Sequence, residues 1–161
     1  MSKICERENL YGPTQYGFRT GKSTMDCIFL LLGAVRKARR TRQKISVAFC
    51  DLQKAYDSVN REVLYKKLES VGFGGRTLSL IQSMYYNDSV QIQLGDKLSS
   101  QVWFTRGVKQ GCCLSPFLFA LYISGLGEVL QDTKLGIELG AEILTGLFFA
   151  DDLVLISRTC N

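Results

Sequence analysis

Asp151 and Asp152 stand side by side in "LFFADDLVLIS", a stretch that is otherwise almost wholly apolar. An isolated carboxylate moved into an apolar medium costs tens of kcal/mol on a Born estimate, and two ionised carboxylates about 4 Å apart repel by roughly 4 kcal/mol at an effective dielectric of 20. The pair therefore occupies an exposed turn or faces something positive. A third carboxylate, Asp51, ends the apolar run "ISVAFCDL". If those two segments are neighbouring strands, three carboxylates can converge at one end of a sheet. Such a set suits two Mg²⁺ ions about 3.5–4 Å apart, which stabilise the attacking and leaving oxygens of phosphoryl transfer. Mg²⁺ prefers oxygen donors and takes few protein carboxylates, with water and substrate phosphate completing its shell. Taken singly, each aspartate has a plainer reading: a polar hairpin turn for Asp151 and Asp152, a helix or turn cap for Asp51.

The rest of the composition narrows the chemistry. The 161 residues contain no histidine, and Cys5, Cys27, Cys50, Cys112, Cys113 and Cys160 show no CxxC spacing. That argues against a zinc site and a histidine triad, and for free thiols in a reducing compartment, the cytoplasm or nucleus. The longest apolar run, Ile28 to Val35, falls short of the about 20 residues that span a bilayer, and no charged-then-apolar leader opens the chain. A hydrophobic fraction of 46% suits one globular domain with a real core. The net charge of +5 mildly favours a polyanionic partner, and its excess is concentrated in "RKARRTRQK", residues 36–44. As a helix end, that run would simply complement the C-terminal dipole.

These residues need elements to position them. Thr24, as cap, opens a predicted helix to about Arg40, with Asp26 in its first turn. Residues 45–52 read as a buried strand ending in Asp51. Asn60 caps a helix that stops at Gly72, and "RTLSLIQSMYY" forms another. "VQIQL" and "QVWFT" read as a hairpin around "GDK"; Ser115, as cap, and Pro116 open the helix "FLFALYISGLGEVL". After "LGIEL", "LTGLFFA" and "LVLIS" form a hairpin with Asp151 and Asp152 at its tip. Helices mixed with an antiparallel sheet predict an α+β layer fold.

Taken in order, "QYGFRTGKSTMDCI" (15–28), "FCDLQKAYDSVN" (49–60), "RGVKQGCCLSPFLFALYI" (106–123) and "FADD" (149–152) resemble the fingers segment and the three central palm motifs of reverse transcriptases. The likeness is nearest to enzymes of non-LTR (LINE-type) retrotransposons and runs from about Gln15 to Ser157. It implies a polymerase-type palm from about residue 45 to 161 and a partial, fingers-like segment over about 1–44, as a single partial domain without a thumb. It implies RNA-directed DNA polymerase activity: on an RNA or DNA template, a primer 3′-hydroxyl attacks the α-phosphate of a deoxynucleoside triphosphate, and pyrophosphate leaves. Asp51 and Asp151 would be the principal ligands of Mg²⁺ or Mn²⁺, with Asp152 beside them. Tyr56 matches the aromatic position that excludes a 2′-hydroxyl, and Gln110 and Gly111 match a loop along nucleotide and template. Arg19 falls in the fingers motif as a phosphate or template contact, with Lys22 and Lys109 as alternatives. Asp57 recurs in the family pattern, but reads physically as a helix cap. The family usually has proline where Cys113 stands.

Two other readings compete. "GFRTGKST" suggests a P-loop, but the first glycine should stand where Tyr16 does, and Gly17 is one residue late. The more serious rival is a catalytically silent nucleic-acid-binding or interaction module that keeps the fold and the basic face.

Overall fold

The computed structural model describes residues 2–158, so Cys160 lies outside the described residues. In chain order the elements are α1 (Ser2–Arg7), α2 (Thr24–Thr41), β1 (Ile45–Asp51), α3 (Ala55–Ser58), α4 (Arg61–Ser70), α5 (Gly75–Tyr85), β2 (Ser89–Val90), β3 (Gln93–Leu94), β4 (Lys97–Leu98) and β5 (Val102–Trp103). They continue with α6 (Ser115–Asp132), β6 (Ile137–Leu139), β7 (Glu142–Leu144), β8 (Gly146–Phe149) and β9 (Asp152–Arg158). The central sheet is antiparallel in the order β1-β9-β8.

Strand side chains alternate between faces, and β9 uses that alternation to serve two cores. Leu153 and Leu155 join Phe148, Leu64, Leu68, Leu118 and Leu121 beneath α4 and α6. Val154 and Ile156 join Leu147, Ile137 and the small residues Ala34 and Ala38 of α2. Burying a side chain of the Leu or Phe class contributes about 1.5–3 kcal/mol. The two cores therefore hold the sheet from both sides. Helices mixed with an antiparallel sheet agree with the α+β expectation.

Several local readings need correction. Strand β1 is an edge strand, not a buried one: among the described residues only β9 pairs with it, and Phe49 is 73% exposed. Ser23, not Thr24, is the N-cap of α2, with the Asp26 carboxylate accepting from the Ser23 backbone N–H at 2.7 Å. Ser115 is not a cap either. It is the first residue of α6, is buried, and donates its hydroxyl to the Lys109 carbonyl at 2.5 Å. Asp57 lies within α3, whose N-cap is Lys54. The hairpin over 89–103 breaks into two short ladders, β2 with β5 and β3 with β4. The predicted strand "LTGLFFA" splits at Thr145, with Leu144 pairing in β7 against β6 and Gly146 opening β8.

Candidate active site

The β1–β9 register sets Asp51 directly opposite Asp152. Facing residues in such a ladder have Cβ atoms about 4.5–5.5 Å apart, so two exposed carboxylates meet at the sheet's end. Asp151 sits in the turn between β8 and β9, close enough to Tyr56 to act on it. Burial, and then the charge of Asp151, push the Tyr56 hydroxyl pKa upward. The Tyr56 ring is fixed by stacking on Phe119, 4.9 Å between centroids and 13° between planes. None of the three aspartates has a cationic partner among the described residues. Unpaired oxygen donors suit a hard divalent cation. However, among the described residues no three acidic or cysteine side chains stand close enough to form a metal cage. The geometry thus brings together a pair, Asp51 and Asp152, with Asp151 adjoining it.

Beside this end of the sheet is an open cleft lined by Tyr56, Gln110, Gly111, Cys112, Cys113 and Pro116. A second cleft shares Gln110 with it and adds Lys54, Asp57, Arg106 and Lys109. The two chain segments that line these clefts are joined to one another. Gly107 donates to the Val59 carbonyl at 2.8 Å, Val108 donates to the Tyr56 carbonyl at 2.9 Å, and Gln110 Nε2 donates to Asp57 Oδ1 at 3.1 Å. Gly107 has φ +89, and a Cβ there would lie 3.0 Å from the Asp57 backbone, so only glycine allows this approach. Asp57, read from sequence as a cap, instead anchors Gln110.

Two positioning residues were not singled out from the sequence. Gln15 is wholly buried; its Oε1 accepts from the backbone N–H groups of Gly17 (2.8 Å) and Ala150 (3.0 Å), and its Nε2 donates to the Ala150 carbonyl (3.4 Å). Ala150 has a left-handed φ of 59, so this grip holds the turn that carries Asp151. Arg61 donates to the carbonyls of Gly107, Tyr85 and Phe104 and to Asp88, bracing the loop before Gln110. Both residues act across the fold, and no local pattern marks them.

The remaining sequence candidates lie elsewhere. The Arg19 guanidinium is taken up by Glu6 at 3.0 Å and by the carbonyls of Gly12 and Gln15, and it does not line either cleft. Lys22 lies over the Tyr16 ring at 5.2 Å. Lys109 does reach the second cleft, paired with Asp88 at 3.2 Å.

Cys112 provides a chemical handle on the first cleft. A hydrogen bond from the Leu114 backbone N–H, the largest cause, holds its thiol pKa below the usual value, whereas burial pushes that of Cys5 up to about 11. Iodoacetamide near neutral pH should alkylate Cys112 at least ~10-fold faster than Cys5, as followed by peptide mass spectrometry. Comparable rates would contradict the hydrogen-bonded geometry of the Cys112–Ser115 turn.

Comparison with known proteins converges on one family. The model of the reverse transcriptase (RNA-dependent DNA polymerase) family matches residues 1–161. The chain is 32% identical over 158 residues, 97% of its length, to a retrovirus-related Pol polyprotein from the type-1 retrotransposable element R2 of Popillia japonica. It is 31% identical over 150 residues, 92% of its length, to that from the type-2 element R2DM of Drosophila melanogaster. It spans 22% and 14% of those two relatives, and 11% of a 28% identical transposon TX1 protein of Xenopus laevis that it matches over 86% of its own length. Its fold is similar to that of telomerase from Candida albicans, with a TM-score of 0.67 over 97% of this chain and 28% of that one, at 16% identity. A family match along the whole chain and a relative 32% identical over 97% of it agree, and the chain belongs to the reverse transcriptase family.

Proposed function

We propose that this chain is the nucleotidyl-transfer portion of an RNA-directed DNA polymerase, with residues of about 45–161 forming the palm and about 1–44 a fingers-like segment. The observation that carries this reading is the meeting of Asp51 and Asp152 at the sheet's end, with Asp151 acting on Tyr56 at the mouth of a cleft lined by Gln110 and Gly111. Asp51, Asp151 and Asp152 would hold Mg²⁺ or Mn²⁺, which when bound lowers the primer hydroxyl's pKa and neutralises developing phosphoryl charge. Tyr56, immobilised on Phe119, presents a rigid ring that leaves room for deoxyribose and not for ribose. Gln110 and Gly111 lie along the incoming deoxynucleoside triphosphate and the RNA or DNA template. Lys54, Arg106 and Lys109, in the adjoining cleft, attract their phosphates. The telomerase resembled in fold was solved with a fragment of telomeric RNA, which supports a nucleic-acid partner.

Because the described residues hold no three-carboxylate cluster, a second reading stands: a module that binds nucleic acid without catalysis. Primer extension on an RNA template with Mg²⁺ or Mn²⁺ separates the two. Asp51→Asn or Asp151→Asn should reduce extension by about 10²–10³-fold, because each removes charge stabilisation of several kcal/mol. If the intact chain extends no better than these variants while retaining salt-sensitive binding, the non-catalytic reading is correct. Among the described residues no helix is long and apolar enough to cross a membrane.

A further inference from the structure

We infer that the end of α2 and the start of β1 form a second nucleic-acid contact, a groove for the phosphate backbone outside the candidate active site. This rests on the nucleic-acid partner proposed above. The outer face of α2 is apolar at Met25, Phe29 and Leu32 and then turns basic. Arg36, Arg39 and Arg40 are exposed and lie opposite Ala34 and Ala38, which are packed into the core. Arg42, left-handed at φ 54, carries the chain out of the helix and into β1. Of the six cations in residues 36–44, only Lys37 has an acidic partner among the described residues, Glu138 at 4.0 Å.

Like charges one helical turn apart destabilise a helix by a few tenths of a kcal/mol per pair. An external polyanion would relieve that repulsion. Arg39 and Arg42 also border a groove floored by Val35, Ala38, Ile45 and Val47. Guanidinium forks match phosphate oxygens in a bidentate manner.

Continuity with the candidate site favours a nucleic-acid strand over a lipid surface or an acidic protein. Ile45, Val47, Phe49 and Asp51 alternate onto one face of β1. From Ile45 to Asp51, at about 3.3 Å per residue, that face runs roughly 20 Å. A strand engaged at Asp51 reaches the groove with about six nucleotides at 3.4 Å each.

The test is fluorescence anisotropy of a labelled RNA–DNA duplex of about 20 base pairs across a salt series, with the intact 161-residue chain. The triple variant Arg36→Gln, Arg39→Gln, Arg42→Gln should bind at least ~10-fold more weakly near 100 mM salt. The slope of log affinity against log salt should fall by about 2–3, one phosphate contact per arginine removed. A charge-matched control, Lys66→Gln, Arg76→Gln, Lys97→Gln, removes exposed cations elsewhere and should cost less than about threefold. Thermal melts check that both variants fold. Equal losses in the two triples, or none in the first, would overturn the groove while leaving the proposed function to stand on Asp51→Asn in primer extension. An intact chain that binds no nucleic acid would remove both.

Discussion

Gln15→Leu is expected to lower the thermal midpoint by roughly 6–12 °C and, well below that midpoint, to reduce primer extension by about 10²-fold. The side chains are similar in size, so the change removes polar contacts more than volume. Gln15 is fully buried, and its amide satisfies two backbone N–H groups and one carbonyl. Leaving a buried polar group unpaired costs about 1–3 kcal/mol, so a net loss of about 3 kcal/mol is a conservative sum. For a domain of this size each kcal/mol moves the midpoint by about 2–4 °C. The effect on activity has a separate origin. Ala150 keeps its left-handed φ of 59 only while its N–H and carbonyl are both held, and Asp151 is the next residue. Gly17, which shares the same amide oxygen, packs so closely that a Cβ would meet the Ala150 backbone N. Gln15→Glu keeps the acceptor but buries a carboxylate whose second oxygen faces the Ala150 carbonyl, so it should not restore the native midpoint. Circular dichroism melts and primer extension measure both effects; a midpoint within about 1 °C of native would show that the turn holds itself.

The second large effect concerns Arg61. Its guanidinium side chain is 9% exposed and donates to Asp88 at 2.7 Å, to Gly107 and Phe104 carbonyls at 2.9 Å and to the Tyr85 carbonyl at 3.2 Å. It also lies 4.8 Å from the centroid of the Tyr85 ring. Arg61→Ala leaves three carbonyls and a 13% exposed carboxylate without this donor. Breaking a buried pair by removing one partner costs about 3–5 kcal/mol, and the lower end applies because Lys109 still faces Asp88 at 3.2 Å. Arg61→Lys should rescue little, since a lysine ammonium cannot span four acceptors arranged around a planar fork. Hydrogen exchange locates the damage: the Gly107 and Val108 amides, bonded to Val59 and Tyr56, should lose protection while β9 amides paired to β1 do not. Uniform loss of protection would mean that Arg61 only supports global stability, with no special hold on the loop that presents Gln110.

Much of the local architecture was legible because its causes are local. Asn60 caps α4 through Val63 N–H at 3.1 Å, as its position before an amphipathic run predicts. Pro116 lies in the first turn of α6, and Asp151 stands at a hairpin turn between two apolar strands, whereas Asp152, read at the same tip, already pairs in β9. The readings that failed needed knowledge of what lies across the fold. An apolar strand such as β1 looks buried, but its place at the sheet's edge is decided by which strands pair, and Phe49 is left in the open. Ser115 and Asp57 have the side chains of caps, yet each is claimed by the loop before α6, through Lys109 and Gln110 respectively.

The sequence by itself determined the chemistry on offer: three carboxylates, one aromatic and a glutamine–glycine loop, in a chain that matches the reverse transcriptase family along its length. Residue type and spacing suffice for that, since they set which groups can ligate, stack or donate. Tertiary structure alone decided that Asp51 faces Asp152, that Asp151 approaches Tyr56, and that Gln15 grips a turn 135 residues away. Such contacts follow from strand register and from the need to pair buried polar groups, and neither condition is met until the two halves of the chain pack together.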